Sequence, residues 1–116
     1  MATWPSLFKK WAKRFGGETN WRCKVEADFE LDRSDLAAVT FNQEYRTATF
    51  RYRPGSEPEN ATACHEAVHL LVARLYIVAQ KLAATSGEPA KQWVEAANEE
   101  VVEEITNLFL VAYGEE

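Results

Sequence analysis

From Pro58 to Tyr113 the helical pattern of the chain is broken once, at Ser86-Gly87-Glu88-Pro89. That single break constrains the fold most. Gly87 ends one helix and Pro89 restarts another, so the two must fold back on each other as an antiparallel hairpin. Ser56-Glu57-Pro58-Glu59 fits a capping box for the first helix, with Ser56 as N-cap and the proline tolerated in the first turn. This helix is expected to run to about Ala84, with Val68, Leu71, Leu75, Val78 and Leu82 as its apolar stripe. The second runs to about Tyr113, with a stripe of Val94, Ala97, Val101, Ile105 and Leu108.

The residues before the hairpin read differently. Pro5 to about Arg14 is an amphipathic helix stopped by Gly16-Gly17, with Trp4, Leu7, Phe8, Trp11 and Phe15 at helical spacing. Trp21 to Leu31 alternates apolar and charged side chains, the period of a half-buried strand, and Asp32-Arg33-Ser34-Asp35 marks a turn. Ala37–Phe41 and Thr47–Arg53 are two further strands joined by Asn42-Gln43-Glu44-Tyr45. The expected fold is therefore α+β: an N-terminal helix, a small three-stranded, mainly antiparallel sheet, then two long antiparallel helices. At 116 residues and 47% hydrophobic content, residues 1–116 fit one domain with one core.

Composition narrows the function classes. The net charge of -5 argues against wholesale nucleic-acid binding, although residues 1–16 carry Lys9, Lys10, Lys13 and Arg14 and no acid. That basic, aromatic opening is read as a helix docked on the body in preference to an interaction surface. No apolar run approaches the eighteen or so residues that span a bilayer, and no signal core opens the chain, so a cytoplasmic protein without membrane contact is expected. Cys23 and Cys64 lack a metal-binding or redox spacing and are expected to be small buried hydrophobes.

The chemistry concentrates in His65-Glu66-Ala67-Val68-His69, which holds both histidines of the chain. Residues four apart on a helix share a face, so the two imidazoles can grip one ion. Glu66 sits about 100° round from His65, near enough to take a proton from a water on that ion. A catalytic zinc needs three protein ligands and one open position. With no third histidine, a carboxylate must complete the set, and Asn98-Glu99-Glu100-Val101-Val102-Glu103-Glu104 supplies four. At 1.5 Å per residue His69 lies about 24 Å from the loop and these acids about 17 to 24 Å from it, so the hairpin returns them to the level of the histidines. The stripe on the last helix favours Glu100 or Glu104, which flank it, over Glu99 and Glu103, which lie nearly opposite.

HExxH on one helix and a glutamate on the next resemble the gluzincin metallopeptidases. The His-Glu-Ala-Val-His-Leu-Leu and Glu-Glu-Val-Val-Glu-Glu-Ile stretches are similar to minimal gluzincin-like proteins of bacteriophages and prophages, over residues 37–113. In the thermolysin-type pattern the ligand glutamate follows an asparagine, and a carboxylate four residues later supports the first histidine. Asn98-Glu99 and Glu103 match it, so the resemblance implies His65, His69 and Glu99 as zinc ligands, Glu103 as the partner of a histidine, and Glu66 as general base. Glu100 remains the alternative ligand. The resemblance further implies an extended peptide or protein substrate laid along the edge strand of the sheet, expected at Thr47–Arg53. Larger relatives carry an oxyanion-stabilising His or Tyr in a second subdomain; Tyr113, Tyr52 or Arg53 could take that role here. The expected function is a zinc-dependent metallopeptidase. The alternatives are a non-catalytic zinc-binding or assembly protein that keeps Zn2+ as a staple, and an interaction module whose motif is accidental.

Overall fold

A computed structural model of the chain describes residues 2–16, 20–31 and 35–115. In chain order the elements are α1 (Trp4–Arg14), β1 (Arg22–Ala27), β2 (Ala37–Asn42), β3 (Thr47–Tyr52), α2 (Asn60–Ala83) and α3 (Glu88–Ala112). The arrangement is α+β, a three-stranded sheet against two long helices with α1 packed on α2. Gly17 and Asp32 to Ser34, expected at a helix stop and a turn, lie outside the described residues.

The sheet departs from the expected plan in its order, β1-β3-β2. β2 and β3 form an antiparallel hairpin with Val39 opposite Phe50, but β1 joins β3 in parallel with Val25 opposite Phe50, so the sheet is mixed. Thr47–Arg53 is thus the centre of the sheet and not its edge. The reason lies in the side chains. β3 contributes the fully buried Ala48 and Phe50, whereas β1 carries Arg22, Lys24 and Glu26, and β2 carries Thr40 and Asn42, which suit strands with one side open. β1 stops at Ala27, short of Leu31, because the Asp28 carboxylate accepts the Glu30 N–H and turns the chain. Phe29, expected on the inner face, is exposed.

α1 docks as expected. Trp4, Leu7, Phe8, Trp11 and Ala12 are buried, and Phe8 stacks on Phe50 with ring centroids 4.7 Å apart. Thr3 and Ser6 form its capping box. Ser56, the expected cap of α2, works elsewhere: its hydroxyl donates to the Arg53 carbonyl and accepts from the Trp4 indole. Pro58 holds the chain extended before it, and α2 begins at Asn60 behind Glu59, which makes no side-chain cap.

Both expected stripes are only partly buried. On α2, Cys64 and Val68 are covered, but Leu71, Leu75, Val78 and Leu82 remain 47, 74, 50 and 68% exposed. At 1.5 Å per residue α1 is about 16 Å long against about 36 Å for α2, so it can cover only the first part of that face. The buried residues of α2 lie instead on an adjacent face, which carries Ala63, Ala67, Leu70 and Ala73. On α3 the buried line is Val102, Thr106 and Leu110, one residue on from the expected Val101 and Ile105. That shift turns α3 by about 100° and carries Glu99 and Glu103 toward α2.

Candidate metal centre

α2 presents His65, Glu66 and His69 beside the rotated face of α3. Nε2 of His65 lies 3.3 Å from one Glu99 carboxylate oxygen, and Nε2 of His69 lies 3.4 Å from the other. One donor atom from each of these three residues falls within 4.8 Å of the others. Each imidazole thus faces its own oxygen of Glu99, and the three residues stand close enough together to share one metal ion.

The surroundings prepare each donor. Nδ1 of His65 lies 2.9 Å from a Glu103 oxygen. With that carboxylate ionised, Nδ1 carries the proton and donates it, which leaves the Nε2 lone pair directed at the group. Burial holds the His69 pKa below its usual value and the nearby His65 adds to this, against the pull of Glu99; the lowered pKa favours the neutral ring that a metal ligand requires. Glu99 is 54% exposed in its side chain, and its one face toward α2 meets both histidines.

Glu66 stands apart from the ligand set. It is 8% exposed, its Oε2 has no hydrogen-bond partner among the described residues, and burial, with the charges of Glu99 and Asp35, pushes its pKa up to about 8. An unpaired, buried carboxyl beside three converging donors is costly for folding alone. A cation in the group would lower that pKa again by direct attraction.

These residues line a cleft of about 690 Å³ between β2 and the two long helices. Leu36, Ala37, Ala38, Val39 and Phe41 form one wall, so the strand over the site is β2 and not β3. The Arg53 N–H donates to the Leu36 carbonyl, which sets Ala38, Thr40 and Asn42 facing β3. By antiparallel alternation Ala37, Val39 and Phe41 then direct their own N–H and C=O groups outward, toward the open edge.

Of the residues expected at the site, His65, Glu66, His69, Glu99 and Glu103 are brought together. Glu100 and Glu104 are exposed and outside the cleft. Tyr52, stacked beside Trp4, and Tyr113, packed on Trp11, also lie outside it, as does Arg53, whose guanidinium reaches the Leu31 carbonyl. Asp35, Tyr76 and Asn107 line the cleft without having been singled out. Asp35 read locally as a turn residue, and only the placement of β2 at the edge brings it near Glu66. Tyr76 lies two turns beyond His69, a spacing that could have flagged it. Comparison of the chain with known protein families, curated proteins and solved structures finds no match.

Proposed function

We propose that the chain is a zinc-dependent metallopeptidase that holds Zn2+ with His65, His69 and Glu99. The observation that carries this reading is the pairing of a three-donor group with a buried carboxyl, Glu66, whose Oε2 has no hydrogen-bond partner among the described residues. Two imidazoles and a carboxylate suit zinc, and three protein ligands leave a position open for water. A zinc ion held by these residues would supply Lewis-acid chemistry, lowering the pKa of a water and polarising the carbonyl of the scissile bond.

The remaining chemistry belongs to the chain. Glu66 accepts the proton of the attacking water and passes it to the departing amine. Glu103 keeps His65 in the ligating tautomer. Ala37, Val39 and Phe41 offer backbone donors and acceptors to an extended peptide that adds as a strand to β2. Val39, Phe41, Val72, Ala73 and Tyr76 make one end of the cleft apolar, which suits a large apolar side chain near the scissile bond. Asp35 and Glu103 at the other end favour a basic one.

Glu66→Gln is the test. It should retain zinc and lose peptide hydrolysis, read with fluorogenic peptides that carry an apolar and a basic residue about the scissile bond. Unchanged hydrolysis would exclude Glu66 as the base. A structural ion is the second reading, because the donors join α2 to α3. In that case chelation would collapse the thermal transition instead of lowering it modestly.

A further inference from the structure

The apolar face of the helical hairpin remains without a role in the domain. Leu71, Leu75, Val78 and Leu82 on α2, with Trp93 and Val101 on α3, are 43 to 74% exposed. Between Leu75 and Val101 runs an apolar groove of about 240 Å³, lined also by Val94 and Ala97. We infer that this face is where a second copy of the chain docks, hairpin against hairpin, about a two-fold axis.

Three observations favour a copy of the chain over another occupant. The first is area. The accessible surface is 7424 Å² for a chain of 13.2 kDa. A monomer of that mass ordinarily exposes about 6400 Å². The surplus of about 1000 Å² is close to one partner's share, roughly 800 Å², of a standard interface.

The second is spacing. Leu71, Leu75, Val78 and Leu82 follow intervals of four, three and four, the repeat of a seam between paired helices. The third is charge. At about 100° per residue, Arg74 and Lys81 edge the stripe on the side of α2 away from α3, while Glu100 and Glu104 edge α3 on its side away from α2. Arg74, Glu100 and Glu104 make no ion pair or hydrogen bond among the described residues. A two-fold axis along the hairpin lays α2 of one copy over α3 of its partner, basic edge beside acidic edge. Arg74 is about 17 Å from the turn and Glu100 about 18 Å from it, so the two edges meet in register. The cleft is on the opposite, sheet-facing side of α2 and stays open.

Analytical ultracentrifugation of the full chain tests this. The wild type should sediment at twice 13.2 kDa at micromolar concentration. Leu75→Asp with Leu82→Asp should give a monomer that keeps its helical circular dichroism and its zinc content. Arg74→Glu should raise the dimer dissociation constant at least tenfold, as should Glu100→Arg, and the two together should restore it. The restored pair separates a charge-matched interface from mere loss of folding. A wild type that stays monomeric at 100-fold higher concentration overturns the proposal. So does a monomer that floats with phosphatidylglycerol vesicles, which would give the face to a lipid surface; α2 is long and apolar enough to cross a bilayer by length and composition. Retained dimerisation in the double aspartate variant would place the interface elsewhere.

Discussion

Glu103→Ala probes how the proposed site would hold a metal, without touching His65, His69 or Glu99. The Glu103 carboxylate sits 2.9 Å from Nδ1 of His65 and fixes the ring, yet its side chain is 60% exposed while that of His65 is 24%. Removing such an outer partner lowers metal affinity about 10- to 100-fold, and the exposure of Glu103 argues for the lower end, about tenfold. With metal well above its dissociation constant, a tenfold loss removes about 1.4 kcal/mol of metal-linked stability. A chain of this size unfolds with an entropy of about 240 cal/mol/K, so the zinc-induced rise in Tm should shrink by about 6 °C. The Tm of the metal-free protein should move by no more than about 2 °C, since the exposed contact itself stabilises by about 0.5 kcal/mol or less. Differential scanning calorimetry with and without zinc reads both numbers, and a competing chromophoric chelator reads the affinity directly. Glu104→Ala, one position further along the same helix, should change neither. An unaltered zinc-induced rise in Glu103→Ala would refute the orienting role, and an equal loss in Glu104→Ala would reduce it to bulk charge.

Three further outcomes follow from the remaining groups. Burial, with a contribution from Glu115 that Lys10 and Arg14 partly offset, pushes the Cys64 thiol up to about 12; at pH 8 iodoacetamide should therefore modify the half-buried Cys23 and spare Cys64 until the protein unfolds, as mass spectrometry would reveal. Hydrogen bonds from Lys10 and Arg14 hold the Glu115 carboxyl below its ordinary value of 4.5, so its stabilisation is present above about pH 4.5 and lost as pH falls through the folded value. Glu115→Gln should flatten that acid limb in urea titrations between about pH 3 and 6, by about 1 kcal/mol at most given its partial exposure; an unchanged limb would mean the tail contact is not formed in solution. Val68→Ala, at a fully buried position, should cost about 1 to 3 kcal/mol and leave peptide specificity alone, whereas Leu75→Ala on the exposed face should cost the isolated fold about 0.5 kcal/mol or less.

Much of this arrangement is legible from local chemistry. Gly87 and Pro89 mark the hairpin because one ends a helix and the other can only begin one, and His65 and His69 share a face by spacing alone. What local pattern misses depends on partners distant in sequence. Leu71, Leu75, Val78 and Leu82 have the periodicity of a buried stripe, but the element that would cover them, α1, ends too soon. Val101 and Ile105 suggest one orientation for α3, whereas burial of Val102, Thr106 and Leu110 sets another and turns Glu99 inward. Hydrophobic spacing on α3 thus points to Glu100, and only the resemblance to a family pattern points to Glu99. Strand order is equally invisible along the chain: β3 follows β2 directly, yet its buried Ala48 and Phe50 place it between its neighbours, and β2 is left as the edge above the cleft.

Zinc stoichiometry, measured by inductively coupled plasma mass spectrometry on the wild type, Glu99→Ala and Glu100→Ala, decides whether His65, His69 and Glu99 bind a metal. The geometry of His65, His69 and Glu99 predicts one zinc per chain for the wild type and for Glu100→Ala, and a substantial loss for Glu99→Ala. A metal-free wild type, or equal occupancy in Glu99→Ala and Glu100→Ala, would contradict it.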